Sequence, residues 1–214
     1  MKEKRFNSTD QFIIGFDQAL RTLFGRPLVT ERPNPSNDLP EADLSEQEQD
    51  LTARLMRINH TGEVCAQALY QGQALTAKLP EVRHRMERAA LEENDHLDWC
   101  ESRLKALDNR KSLLNSFWYA SSFLLGAAAG LAGDKWSLGF VAETEHQVEA
   151  HLNDHLQRMP AQELKSRAVV EQMKEDEIHH AKMALEAGGA ALPGPIKLAM
   201  KLTSKLMTGS VYYL

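Results

Sequence analysis

The sequence has little cysteine and few signals for β-structure, and each shortage excludes a class of protein. Its two cysteines, Cys65 and Cys100, are 35 residues apart, and the chain contains no CxxC pair. This spacing gives neither a disulfide framework nor a zinc motif, and it indicates a reducing compartment. No run of Val, Ile and Thr alternates with polar residues over the length of a strand. We therefore expect a protein built from helices.

Three further absences narrow the function. The formal net charge is −5 over 214 residues, so basic side chains are not in excess and we expect no binding of nucleic acid. The Gly-rich fingerprint of a dinucleotide-binding domain does not occur. The start of the chain lacks the continuous apolar stretch of a secretory leader, and we expect no leader.

The chain does contain long stretches of Ala, Leu, Glu, Gln, Lys and Arg between prolines, and these residues favour helices. Ser45 and Glu48 have the spacing of a capping box, which predicts the start of the first long helix. The four predicted long helices run from there to before Pro80, from Pro80 through Leu107, over about 134–158, and from near Pro160 to Gly188. Each carries an apolar row at helical spacing, which predicts an all-α four-helix bundle.

The chain divides into three predicted parts. Residues 1–44 hold a short amphipathic helix over 9–24 and a Pro-rich linker. Residues 45–192 form the bundle, and they include the uncharged stretch 112–133 that joins its two halves. Residues 193–214 are predicted to form a basic amphipathic helix, because lysines recur every four residues beside leucines.

A pattern of carboxylates and imidazoles occurs twice, once in each half of the bundle. Each half has one lone Glu and, 30 or 32 residues later, a Glu-x-x-His pair. Residues three apart on a helix share a face, so both side chains of a pair reach one point. Four carboxylates and two imidazoles inside a bundle are the donor set of a di-iron or di-manganese centre. The six residues are Glu63, Glu93, His96, Glu145, Glu177 and His180.

A solvated face rich in Glu and His is the alternative interpretation. Other pairs with the same spacing occur, at Glu143 with His146 and at Asp176 with His179, and Asp176 lies one residue before the apolar row of its helix. The repeated spacing, and the coincidence of most of the six with apolar rows, favour a metal centre. We expect an outer position for Glu92, Asp95 and Trp99.

Four segments resemble the demethoxyubiquinone hydroxylases of ubiquinone biosynthesis, which are ferritin-like di-iron monooxygenases. They read NHTGEVCAQALYQGQ, EENDHL, VAETEHQVEAHLNDHL and KEDEIHHAKMALEAG, and the resemblance covers about residues 45–214. It implies an antiparallel ferritin-like bundle in which the six residues bind two iron ions. By the same analogy Glu93 and Glu177 bridge the ions, while Glu63 and Glu145 each bind one. His151 matches a family histidine near the site, and the alternative is an ordinary polar residue on the third helix.

The resemblance also implies a reaction, in which a reduced di-iron centre activates O2 and hydroxylates the ring of demethoxyubiquinol. Electrons come from a separate reductase, from NADH bound without a Rossmann domain, or from the quinol itself. Other proteins of ubiquinone biosynthesis are further expected partners. The rival functions are iron oxidation or storage, a rubrerythrin-like peroxidase, a hydroxylase of another substrate, and a non-enzymatic helical membrane adaptor.

A polyprenylated quinol resides in the bilayer, so we expect a membrane-binding face. The stretch 112–133 is long enough to span a bilayer, to form a buried helix, or to lie in the interface. We favour the interface, with Trp118 and Tyr119 near the headgroups, because a crossing would separate the two halves of the metal centre. The lysine-rich tail fits the same surface or is simply solvated. The expected location is the cytoplasmic face of the inner cell membrane, as a peripheral or monotopic protein.

Overall fold

The computed structural model describes residues 8–30 and 32–214, and within these ranges the secondary structure is helical with no strand. The predicted all-α class is therefore confirmed. The helices are α1 (Ser8–Phe24), α2 (Glu46–Thr76), α3 (Pro80–Ala106), α4 (Asn115–Leu131), α5 (Asp134–Arg158), α6 (Leu164–Glu186) and α7 (Gly194–Val211).

The two ends of α2 lie where the sequence predicts them. Ser45 accepts a hydrogen bond from the backbone of Glu48, and the Glu48 carboxylate accepts one from the Ser45 backbone at 2.9 Å. This reciprocal capping box satisfies two backbone donors that a helix start leaves without partners. Pro80 occupies the first turn of α3, where its missing N–H costs nothing.

The start of α6 differs from the prediction, since the helix begins at Leu164 and not near Pro160. The carboxylate of Glu163 accepts a hydrogen bond from the Ser166 backbone at 3.0 Å and a second from Arg103 at 2.7 Å. A charged cap that is also held by α3 fixes the helix start, so Pro160 belongs to the preceding turn. The helix ends as predicted, with Gly188 at a φ of 99°.

Helix α4 connects the α2–α3 hairpin to the α5–α6 hairpin by running beside α2 in the same direction. Gly126 lies against Leu69 of α2. Gly130, one turn further along α4, lies against Thr76 of α2. A Cβ atom at either glycine would overlap α2, so the two glycines allow the close approach. This single long crossover keeps both halves of the motif in one bundle, as in ferritin-like folds.

The aromatic residues of α4 correct one expectation. Trp118 and Tyr119 are buried, because they lie on the side of α4 that packs against α2 and α7. Large apolar side chains are exposed elsewhere on α4, at Phe117, Leu124, Leu125 and Leu131. Within residues 8–30 and 32–214, no helix combines the length and the apolar character that a membrane crossing requires.

The segments outside the bundle are attached to it by specific contacts. In the linker, Glu41 forms an ion pair with the buried Arg103 at 3.0 Å. At the end of α7, Met207 and Val211 are buried in a cluster with Ile58 and Trp118. The leucine row of α7, by contrast, is more than half exposed at Leu198, Leu202 and Leu206.

Candidate metal centre

The structure brings the six predicted residues of the motif into the interior of the bundle. All six side chains are buried, and they come from α2, α3, α5 and α6. Four of them, Glu63, Glu93, His96 and Glu177, each offer one ligand atom, and these atoms lie within 4.8 Å of one another. The two Glu-x-x-His pairs therefore face each other, as the repeated spacing predicts.

The carboxylates of Glu93 and Glu177 each reach both imidazoles. His96 Nδ1 lies 3.0 Å from Glu93 Oε2 and 3.3 Å from Glu177 Oε1. His180 Nδ1 lies 3.1 Å from Glu93 Oε1 and 3.1 Å from Glu177 Oε2. One oxygen of each carboxylate thus points to each half of the centre, so either carboxylate could hold two metal ions.

The lone glutamates stand at the two ends of this cluster. Glu63 Oε2 lies 3.7 Å from His96 Nδ1. Glu145 accepts a hydrogen bond from the Tyr70 hydroxyl, a partner that the sequence analysis missed. Tyr70 and Glu63 are seven residues apart on α2, so one face of this helix contacts both ends of the cluster.

The outer nitrogen of each imidazole is held by the acidic residue that comes directly before the Glu of the opposite pair. His96 Nε2 donates to Asp176 Oδ2 at 2.8 Å, and His180 Nε2 donates to Glu92 Oε2 at 2.8 Å. These bonds leave both Nδ1 atoms directed at the cluster, where a metal ion would bind. Both acids precede the Glu of a Glu-x-x-His pair, and this repeated acid was a signal that the sequence analysis did not use.

Two residues expected on the outer side of α3 are buried, namely Asp95 and Trp99. The linker covers them, because Thr30 and Arg32 donate hydrogen bonds to Asp95 and the Arg32 guanidinium lies over the Trp99 ring. Glu92 was also expected outside and is only half-buried, since it connects the exposed Arg88 to the centre. The histidines of the two rival pairs, His146 and His179, are exposed.

Without metal, the buried carboxylates of the centre share protons with the two imidazoles. Burial raises the pKa of Glu63 and of Glu145 well above the ordinary value of 4.5. Burial also opposes ionisation of Glu93, but His96 and His180 outweigh it and hold the Glu93 pKa well below that value. Burial disfavours a charged His96, yet Glu93 and the neighbouring carboxylates raise the His96 pKa. The imidazoles therefore carry the positive charge that balances the carboxylates.

The donor set fits a pair of divalent cations. Glu93 Oε1 is buried and receives no hydrogen bond, although His180 Nδ1 is 3.1 Å away. Nitrogen and carboxylate oxygen together suit iron and related divalent metals. The two imidazolium ions leave this oxygen without a partner. Two metal cations would neutralise the carboxylates and give the oxygen a partner.

The predicted neighbour of the centre, His151, takes part in a hydrogen-bond network with Asn59 and His155. Its Nε2 lies 3.3 Å from Asn59 Oδ1, and His155 Nδ1 lies 2.7 Å from the same oxygen. Burial lowers the pKa of His151 to about 4 and that of His155 to about 2. Both rings are therefore neutral and bonded to a residue one helical turn before Glu63.

A cavity of about 310 Å³ lies beside the His180 side of the centre. Tyr70 and His180 line it together with Glu92, while Arg85 and Arg88 lie in its wall on α3. The rest of the lining is mainly apolar and includes Met86, Ala89, Leu138, Val141, Met183 and Ala184. A mainly apolar cavity with a few polar groups is typical of a small-molecule site.

Residues 50–210 match the sequence model of the family described as "Ubiquinone biosynthesis protein COQ7". The chain belongs to this family. The match contains all six residues of the centre, and it confirms the family resemblance of the four sequence segments.

Relatives of the chain are similar over nearly its full length. A protein of Nitrosococcus oceani is 57% identical over 214 residues, which is the whole of both chains. One of Nitrosomonas europaea is 60% identical over 204 residues, covering 95% of this chain and 98% of the relative. One of Acinetobacter baumannii is 56% identical over 211 residues, covering 99% of this chain and 100% of the relative. All three are named "3-demethoxyubiquinol 3-hydroxylase". The similarity thus includes the linker, which the family match leaves out.

Proposed function

We propose that the protein is a di-iron monooxygenase that hydroxylates the ring of demethoxyubiquinol in ubiquinone biosynthesis. The observation that carries this proposal is the position of Glu93 and Glu177, each of which directs one oxygen to each imidazole. The activity is the one named for the relatives, and the predicted hydroxylase agrees with those names.

The six buried residues have distinct roles in this proposal. Glu93 and Glu177 would hold both iron ions, Glu63 and His96 would complete one site, and Glu145 and His180 would complete the other. Bound iron would supply the reductive activation of O2. The protein holds the ligand atoms in place through Asp176, Glu92 and Tyr70 and keeps bulk water from the centre.

The cavity beside His180 is the proposed site for the quinol ring. Its apolar lining suits an aromatic ring, and because Tyr70 and His180 line the cavity, a bound ring would lie beside the metal centre. Electrons come from NADH, from a separate reductase, or from the quinol itself, and other proteins of ubiquinone biosynthesis are proposed partners. Turnover should depend on added NADH to a different extent for each of these three electron sources.

We further propose that the exposed apolar faces of α4 and α7 bind the membrane, at the cytoplasmic face of the inner cell membrane. Leu198, Leu202 and Leu206 are exposed on α7, and Lys201 and Lys205 are exposed beside them. A basic helix with an exposed apolar row is suited to a surface of anionic lipid. Such binding would give the enzyme access to a substrate that stays in the bilayer.

The proposed reaction is tested by the quinone composition of a bacterium that lacks its own hydroxylase gene. We expect this chain to restore ubiquinone, and we expect the Glu177→Ala variant to leave the demethoxy precursor in place. Glu171→Ala is the matched control on α6, because Glu171 is more than half exposed. Immunoblots confirm equal protein levels. If the chain restores nothing, or if Glu177→Ala restores ubiquinone fully, the proposed function is wrong.

A further inference from the structure

One linker residue, Arg32, contacts both helices that carry a Glu-x-x-His pair. Its Nε donates to Asp95 Oδ2 on α3 at 2.9 Å, and its Nη1 donates to Asp176 Oδ2 on α6 at 2.7 Å. The same Asp176 oxygen accepts the bond from His96 Nε2 at 2.8 Å. A single carboxylate oxygen therefore joins the linker to an imidazole of the centre.

Arg32 is itself fixed in position by its surroundings. Its backbone N–H donates to Thr30 Oγ1 at 3.2 Å, and this hydroxyl donates to Asp95 Oδ2 at 2.6 Å. Its guanidinium lies 5.1 Å from the centroid of the Trp99 ring, which in turn lies 5.4 Å from the ring of His96. A planar guanidinium held by two carboxylates and a ring is well suited to fix a direction as well as a charge.

In the other half of the centre, Arg88 and Glu92 form a weaker counterpart of the Arg32–Asp176 contact. Glu92 holds His180 Nε2 at 2.8 Å, and Arg88 holds Glu92 at 3.1 Å. The Arg88 side chain is 82% exposed, whereas that of Arg32 is 36% exposed. An exposed pair within one helix contributes little to the order of its partners. Each imidazole thus donates to a carboxylate, but the carboxylate of Asp176 is held by the less exposed Arg32 and that of Glu92 by the exposed Arg88.

We propose that Arg32 is a positioning residue for one of the two metal sites. By fixing Asp176 it orients His96, so the ion bound by Glu63 and His96 is held more tightly than the ion bound by Glu145 and His180. This inference rests on the proposed function, because it takes both sites as metal sites. The less firmly held site is the one beside the cavity, because His180 lines it.

The test is a titration of the metal-free, full-length protein with Co²⁺, followed by visible absorption in competition with a chelator. We expect two ions per chain with unequal dissociation constants. Arg32→Gln should weaken the tighter site by about 10-fold, the lower end of the effect of removing a direct partner of a metal ligand, because Arg32 acts on His96 through Asp176. Arg32→Lys keeps the charge without the planar fork, so its effect should be intermediate. Arg88→Gln is the matched control and should change neither constant by more than about 2-fold.

A spectroscopic measurement separates positioning from a loss of stability. In protein loaded with ⁵⁷Fe, Arg32→Gln should alter one of the two Mössbauer doublets and leave the other unchanged. If wild-type protein binds no Co²⁺, the proposed function fails. If it binds two ions but Arg32→Gln weakens both equally, weakens neither, or lowers only thermal stability, the role of Arg32 is wrong and the proposed function stands.

Discussion

At the scale of single residues, Glu63 and Glu145 make the metal-free protein sensitive to pH. Burial raises the pKa of both above the value of 4.5 that applies in the unfolded chain. The folded protein therefore retains protons that the unfolded chain loses, and stability falls as pH rises above about 5. The raised pKa of His96 and His180 acts in the same direction above about 6.5.

We predict that Glu145→Gln makes the stability of the metal-free protein less dependent on pH. Each carboxyl group that stays protonated only in the folded state contributes up to about 1.4 kcal/mol of lost stability per pH unit. Urea unfolding of chelator-treated protein at pH 6, 7 and 8 measures the change in slope. Glu171→Gln, at an exposed position of α6, is the control and should follow the wild type. Equal slopes for all three proteins would show that the charge on Glu145 costs nothing.

The residues that the sequence identified and those that it missed differ in where their partners lie. Each Glu-x-x-His pair is local, so helical spacing alone places both of its side chains on one face. The burial of Asp95 and Trp99 depends on Arg32, which is more than 60 residues away along the chain. No periodicity within α3 contains this information, because the linker supplies the covering surface.

At the scale of elements, helix boundaries were predictable where the signal is local. The capping box of α2 and the Gly188 turn after α6 fulfil their predictions. The start of α6 was misplaced, because the Glu163 cap draws part of its stability from Arg103 on another helix. The two packing faces of α4 are likewise set by α2, and an uncharged sequence does not show which face turns inward.

We predict that Gly126→Ala destabilises the protein through the α2–α4 contact. A Cβ atom at this position would overlap the carbonyl of Leu69, and overpacking of this kind costs roughly 1–3 kcal/mol. Gly209→Ala is the control, since a Cβ there meets no atom within 4 Å and alanine favours a helix. Thermal unfolding should show a lower midpoint for Gly126→Ala and an equal or higher midpoint for Gly209→Ala. Equal midpoints would mean that α4 moves away from α2 without cost.

At the scale of the whole molecule, the bundle was predictable because four apolar rows need one another for burial. The attachment of the linker and of α7 to the bundle was not predictable, because contacts at particular residues fix both segments. The end of α7 is part of the interior, where Met207 and Val211 pack with Ile58. Deletion of residues 195–214 would therefore disturb folding as well as any membrane contact. Substitution of the exposed leucines separates the two effects.

We predict that replacing Leu198, Leu202 and Leu206 with serine weakens binding to anionic lipid vesicles and leaves folding intact. Partial burial of three leucines in the interface contributes about 3 kcal/mol, which corresponds to about 100-fold in affinity. The matched control replaces three leucines that are exposed on α3 and α6, namely Leu91, Leu164 and Leu185. Sedimentation with vesicles of stated anionic content, at physiological salt, measures binding, and far-UV circular dichroism monitors the fold. Because lysines flank the leucine row, binding should also fall as salt rises. If both triple variants bind as the wild type does, α7 is not the surface that brings the catalytic bundle to the membrane.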